Sequence, residues 1–228
     1  TVLSEFYFKH RFSEDLDLFS EHEFNSKNVL SEVSKLQKDL KLVKIDQQSL
    51  HGQEVFFLHF SNHEIVKIDF AYFPFTPLGS FKKYNLLNIS SIDDICINKV
   101  HAITTRKRAR DYYDLYLCLE YLKWGIGDIR KNYKLKFDVN ISSEQLILSF
   151  INVVDAKDLP KFIGELDFNI IKNYFLKLSE QLKKVVELYD LNNQEDRDII
   201  IEFEKFLLNL QKESNIPDFL ESLVAAFF

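Results

Sequence analysis

The sequence predicts an α+β protein, a mixed sheet with helices followed by an α-helical bundle. Three observations carry this expectation. Runs that alternate polar and apolar residues, the signature of half-buried strands, are confined to residues 15–72. From residue 91 onward, apolar residues recur at the three- and four-residue spacing of helices. Glycine and proline number only 5 and 4 in 228 residues, against 22 phenylalanines, which favours long regular elements over loops. The natural partition is a mixed α/β domain over 1–130 and a helical bundle over 131–228, with the boundary between 124 and 140.

Taken in order, residues 3–10 read as a helix with Leu3, Phe6 and Tyr7 on one face. DLDLF at 15–19 alternates and predicts a strand. Residues 28–40 carry Val29, Leu30, Val33, Leu36 and Leu40 at helical spacing. Strands are expected at 41–45, 54–60 and 64–72, with turns at HGQ (51–53) and Ser61–Asn62. PFTPLG at 74–79 is a loop, because two prolines and a glycine leave little else. A helix over 91–106 starts from a Ser/Asp cluster suited to capping, and another over 109–122 bears the stripe Tyr112, Leu115, Tyr116 and Leu119. That stripe is expected to seat the helix against the sheet. WGIGD at 124–128 reads as a break, followed by helices at 143–153, 159–163, 166–189, 194–213 and 217–228.

Composition removes several classes. Twenty-nine basic against 35 acidic residues leave a formal charge of −6, which excludes a globally basic nucleic-acid binder but not a local basic patch. Cys96 and Cys118 have no framework spacing, so a reducing cytoplasm is the expected location. No apolar run reaches the roughly 18 residues of a membrane span, so no membrane partner is expected. The chain starts at Thr1 and holds no methionine, and it reads as lacking its natural N-terminus. The histidines do not combine with the cysteines at zinc-binding spacing. No Walker-type loop, nucleophile elbow or dinucleotide fingerprint is present.

The chemistry concentrates in two places. On a strand, residues two apart share a face, so Asp15 and Asp17 stand side by side while Leu16 and Leu18 point into the core. Two close carboxylates repel unless a cation neutralises them, and Mg²⁺ suits them, taking one or two carboxylates plus substrate phosphates. Asp69 interrupts a second strand pattern in IVKIDFAYF; if that strand lies beside the first, three carboxylates converge. A strand-end cap or pairing with nearby Lys and Arg is the plainer alternative for an isolated D-x-D. The second place is INKVHAITTRKRARDYYDLY (97–116). It opens near Lys99, carries four basic residues among 106–110, and sets Asp111 and Asp114 at i, i+3 on one helix face. A solvated surface patch is the plainer alternative here. Metal-ready acids, cations and a further carboxylate are the mixture that phosphoryl and nucleotidyl transfer require.

With Thr1, the blocks HRFSEDLDLF, VKIDFAYFP, DICINKVHAI and RARDYYDLY, in this order and spacing, resemble the AbiEii-type toxin family over residues 1–120. The resemblance implies a minimal, polymerase-β-like nucleotidyltransferase fold, and an enzyme that transfers a nucleotide from an NTP to an acceptor as the toxin of a toxin–antitoxin or phage-defence system. It implies Mg²⁺ or Mn²⁺ held by Asp15, Asp17 and Asp69, with Lys67 supporting that block. Lys99 resembles the nucleotide-phosphate lysine and Asp111 the essential acid, with Arg108, Arg110 and Asp114 completing its motif. Asp69 or Asp111 would help activate the acceptor hydroxyl. The family's opening Gly-Gly/Ser element would precede or include Thr1, placing Thr1 with Arg11 and Ser13 among the nucleotide-binding positions. Ser13 is expected either to contact phosphate or to be a modification site, where an added phosphate would repel incoming nucleotide. Expected partners are a nucleoside triphosphate, tRNA or another RNA, and a cognate antitoxin protein. Two other readings remain: a non-catalytic nucleotide-binding or protein-interaction module that keeps the fold, and a nucleotidyltransferase acting on small molecules.

Overall fold

The structure of the protein is a computed structural model that describes residues 2–13 and 15–189. Thr1 and the helices expected at 194–213 and 217–228 lie outside the described residues. The chain divides into two compact units, Thr1–Thr76 and Pro77–Phe228.

In the first unit a wide-wound helical turn, Leu3–Phe8, precedes strand β1 (Asp15–Ser20) and helix α1 (Ser26–Asp39). Strands β2 (Lys44–Leu50), β3 (Gln53–His59) and β4 (Ile65–Tyr72) follow. Asn25 starts α1 by accepting a hydrogen bond from the Lys27 amide at 2.9 Å. The sheet order is β1-β4-β3-β2, with β1 parallel to β4 and the other pairs antiparallel. The mixed sheet is therefore the predicted one. β2 runs further than expected, because KIDQQSL is a largely exposed outer strand whose polar residues show no alternation.

One face of this sheet is apolar and carries the unit's core. Phe56 and Leu58 of β3 and Ile68 of β4 bury against Val33 of α1 and Leu42, with Leu18, Val29 and Phe70 packed around them. Burying each of the larger side chains contributes about 1.5–3 kcal/mol. Alternation then sends Gln53 and Val55, Lys67 and Asp69, and Asp15 and Asp17 to the opposite face. Leu18 packs on the core as expected, but Leu16 is 41% exposed, since β1 is an outer strand with a neighbour on one side only.

The second unit begins with a hairpin, β5 (Lys82–Tyr84) and β6 (Leu87–Ile89), then helices α2 (Ile92–Thr105), α3 (Ala109–Leu122), α4 (Ile126–Phe137), α5 (Ser143–Ile151) and α6 (Phe168–Tyr189). α2 and α3 match expectation closely. The hairpin was not expected, because its turn has no glycine; Asn85 supplies the left-handed residue at φ +51°. α4 was also missed: Gly125, read as a breaker, is its N-cap, with its amide donating to Asp128 Oδ2 at 2.9 Å. Residues 159–163 are irregular rather than helical, consistent with Pro160 and with Gly164 at φ +90°. The α3 stripe packs among helices: Tyr112 stacks edge-on against Phe175 of α6 at 5.3 Å, and its hydroxyl donates to the Ser149 carbonyl at 2.7 Å. Cys96 and Cys118 are buried free thiols.

A buried carboxylate fastens the start of this unit. Asp94 accepts from the Leu78 amide at 3.0 Å, the Ser91 hydroxyl at 3.0 Å and the Lys136 ammonium of α4 at 2.5 Å. Ser91 also caps α2 through the Asp94 amide. Gly79 lies directly over this cap: a Cβ there would stand 2.5 Å from Ser91 Oγ and 2.8 Å from Ser91 Cβ. Gly79→Ala is therefore expected to push Ser91 off its cap and cost about 1–3 kcal/mol, read as a lower melting temperature. No described helix is long and apolar enough to cross a membrane.

Candidate active site

The first unit gathers the acids. Parallel pairing of β1 with β4 sets Asp17 directly opposite Asp69 and Asp15 opposite Lys67. All four side chains leave the sheet on the face away from the core. Asp15 is half-buried and Asp17 exposed, while Asp69 is buried, at 8% side-chain exposure. Lys67, two residues before Asp69, is ion-paired with it, and Gln53 Nε2 donates to its other oxygen at 3.3 Å. Gln53 escaped the sequence reading because it lies in the segment taken as a turn, and only β3–β4 pairing carries it to Asp69.

These residues fit a divalent ion of the magnesium type by their chemistry. The donors are hard carboxylate oxygens, without sulfur or imidazole, on two adjacent and register-locked strands. Among the described residues no three acidic, histidine or cysteine side chains form a cage by themselves. Mg²⁺ is commonly held by one or two carboxylates completed by substrate phosphates, so an open pair is the appropriate arrangement. Upstream of β1, His10 and Arg11 are buried, with Phe8 set edge-on to His10 at 5.9 Å and Arg11 Nη1 donating to the Phe12 carbonyl at 3.0 Å. Ser13 is half-buried on the segment entering β1.

The second unit gathers the cations with further acids. The i, i+3 spacing on α3 brings Asp111 and Asp114 to one ammonium: Lys99 of α2 lies 2.7 Å from Asp111 Oδ1 and 2.8 Å from Asp114 Oδ2. Both carboxylates are fully buried and Lys99 is largely so. Arg106 completes the cluster, its Nε 2.7 Å from Asp111 Oδ2. Burial alone would raise the Asp111 pKa, but Lys99 and Arg106 overcome it and hold the carboxyl below its ordinary range. Burial likewise acts to lower the Lys99 pKa, and Asp114 and Asp111 reverse that, so its pKa lies above normal.

The basic run is thereby divided. Arg106 turns to Asp111, and Lys107 pairs with Asp155 at 2.9 Å. Arg108 is exposed at the N-cap position of α3, and Arg110, the second residue of that helix, is half-buried within its first turn. Arg106 was read only as one of a run of four cations, since spacing along the chain does not reveal which of them turns inward.

A family model described as nucleotidyl transferase AbiEii toxin, type IV TA system, matches residues 1–139. The uncharacterized protein aq_aa25 of Aquifex aeolicus (strain VF5) is 26% identical over 184 residues, spanning 79% of this chain and 81% of that protein. Among solved structures, JHP933 from Helicobacter pylori matches with a TM-score of 0.50 at 18% identity over 82% of each chain, a likeness of fold.

Proposed function

We propose, from the premise that the chain belongs to the AbiEii nucleotidyl transferase toxin family of type IV toxin–antitoxin systems, that it is a divalent-metal-dependent nucleotidyltransferase whose acceptor is RNA. The observation that carries the reading is the register of β1 on β4, which sets Asp17 against Asp69 with Asp15 on the same face. The reaction forms a bond from an acceptor hydroxyl to the α-phosphorus of a nucleoside triphosphate and releases pyrophosphate. Asp15, Asp17 and Asp69 would hold the metal, Mg²⁺ or Mn²⁺, which when bound neutralises charge on the phosphate oxygens.

The protein's own groups then divide the work. Lys67 and Gln53 orient Asp69 and fix which oxygen it presents. Lys99 directs two of its three N–H groups to carboxylates and keeps its charge there, suiting it to a phosphate. Within the second unit Arg108, exposed at the N-cap position of α3, is a second candidate phosphate contact with Arg110 close by; within the first unit Arg11 and Ser13, just ahead of β1, are the candidate nucleotide contacts. Asp111 takes a positioning part: a buried carboxylate with a depressed pKa is a weak proton acceptor but a firm anchor for Lys99 and Arg106. Asp114 shares that anchoring. A cognate antitoxin is the protein partner that a type IV system implies.

The test is incubation of the intact protein with total RNA, each labelled nucleoside triphosphate in turn, and Mg²⁺. Label is expected on RNA with at least one nucleotide, and none with Asp15→Ala. Label on added small-molecule acceptors alone would move the acceptor out of the RNA class. No label with any of the four nucleotides would favour a non-catalytic, nucleotide-binding module.

A further inference from the structure

The β5–β6 hairpin exposes side chains that a soluble surface ordinarily avoids. Leu86 at its tip is 99% exposed, and Tyr84, Leu87 and Phe81 are 54%, 49% and 39% exposed. Two lysines, Lys82 and Lys83, are interleaved with them, both exposed. Residues 70–92 contain no Asp or Glu, in a chain that holds 35. A locally cationic, aromatic and apolar projection thus stands out from a chain of net charge −6.

The geometry sorts these side chains. Pairing sets Lys82 opposite Ile89, Lys83 opposite Asn88 and Tyr84 opposite Leu87. Successive strand residues face opposite ways, so the ribbon carries one lysine on each face. Tyr84 and Leu87 share a face near the tip, and Leu86 projects from the turn itself. A purely apolar protein contact would need the leucines but gives no reason for a lysine on either side or for the missing acids. A polyanion with flat, stackable groups accounts for all three: ammonium groups meet phosphates while aromatic and apolar side chains stack on unpaired bases.

We propose that the β5–β6 hairpin is the docking element for the acceptor RNA, with Tyr84 and Leu86 against exposed bases and Lys82 and Lys83 on the phosphates flanking them. This inference rests on the RNA-acceptor reading and names where that acceptor is held.

The experiment uses the full chain and fluorescein-labelled bulk transfer RNA, with anisotropy measured across a NaCl titration. Lys82→Gln/Lys83→Gln is expected to weaken binding and to flatten the slope of log affinity against log salt by about 0.7 for each phosphate left without its ammonium partner. Tyr84→Ala/Leu86→Ser is expected to weaken binding about tenfold with the slope unchanged, as loss of stacking requires. Both variants should melt with the parent and bind labelled nucleoside triphosphate unchanged in the absence of RNA. RNA affinity equal to the parent in both variants overturns the proposal, as does a parent protein that binds no RNA. Loss of antitoxin binding with RNA affinity intact would reassign the hairpin to a protein interface and also overturn it. A parent that transfers label to RNA with hairpin variants equally active sinks only this inference. A parent that binds RNA through the hairpin but transfers nothing sinks the enzymatic reading and leaves the docking element standing.

Discussion

Asp17→Asn is expected to cut nucleotide transfer by the proposed metal site about 10²–10³-fold while leaving the fold intact. The side chain is exposed on β1, so replacing one oxygen by an amide nitrogen removes a charge without opening a cavity. Its cross-strand partner Asp69 is already neutralised by Lys67 and held by Gln53. In the proposed site Asp17, with Asp15 on the same face, would therefore supply the negative charge that a divalent ion needs there. An asparagine offers a neutral oxygen and loses most of the attraction for the ion, together with the charge compensation the ion brings to the reacting phosphates. Losing one preorganised electrostatic contribution of this kind lowers turnover by about 10²–10³-fold. Label incorporation into RNA measured against Mg²⁺ concentration checks this, with thermal melting as the control for folding. Activity equal to the parent at all metal concentrations would remove Asp17 from the site.

The second large effect concerns stability. Asp111→Ala strips the counterion from a buried lysine and from Arg106 at once, leaving Lys99 with Asp114 alone among its two carboxylate partners. Removing one partner of a buried ion pair costs about 3–5 kcal/mol, a large share of what a domain possesses. Urea unfolding should show it as a lower midpoint with no nucleotide present. The pH dependence gives an independent check. Because the Asp111 pKa is depressed in the folded state, its contribution is present above the ordinary carboxylate range and disappears as pH falls through the depressed value. Because the Lys99 pKa is raised, its contribution is present below the ordinary lysine value and disappears as pH rises through the raised one. The parent should thus lose stability at both extremes. The variant should lack the acid-side loss that Asp111 provides. An unfolding midpoint matching the parent would show that the buried network contributes nothing net.

The strands bearing acids were legible because alternation survives wherever one face of a sheet is buried: DLDLF and VKIDF both show it. What alternation does not reveal is the neighbour, and it was the parallel pairing of β1 and β4 that converted two separate motifs into opposed Asp17 and Asp69. The Asp111–Asp114 spacing likewise announced a shared helix face, while the reach of Lys99 from α2 to both depended on how two helices pack. Arg106 and Gln53 were not singled out because their partners lie across an element boundary, where periodicity has no bearing. The hairpin at 82–89 and helix α4 were missed for a local reason. Asn85 and Gly125 serve as a turn residue and a cap, and each reads as irregular chain when only composition is weighed.

The family match ends at residue 139, two residues beyond α4. The ammonium of Lys136 is the cation that answers Asp94, and both are almost wholly enclosed. A fragment cut after α3 would take from Asp94 its ammonium partner and leave it the Leu78 amide and the Ser91 hydroxyl, so a self-sufficient version of this protein is expected to extend past that lysine. One methylene-stemmed charge near the end of a helix thereby sets a limit on how far evolution, or an engineer, can trim the chain.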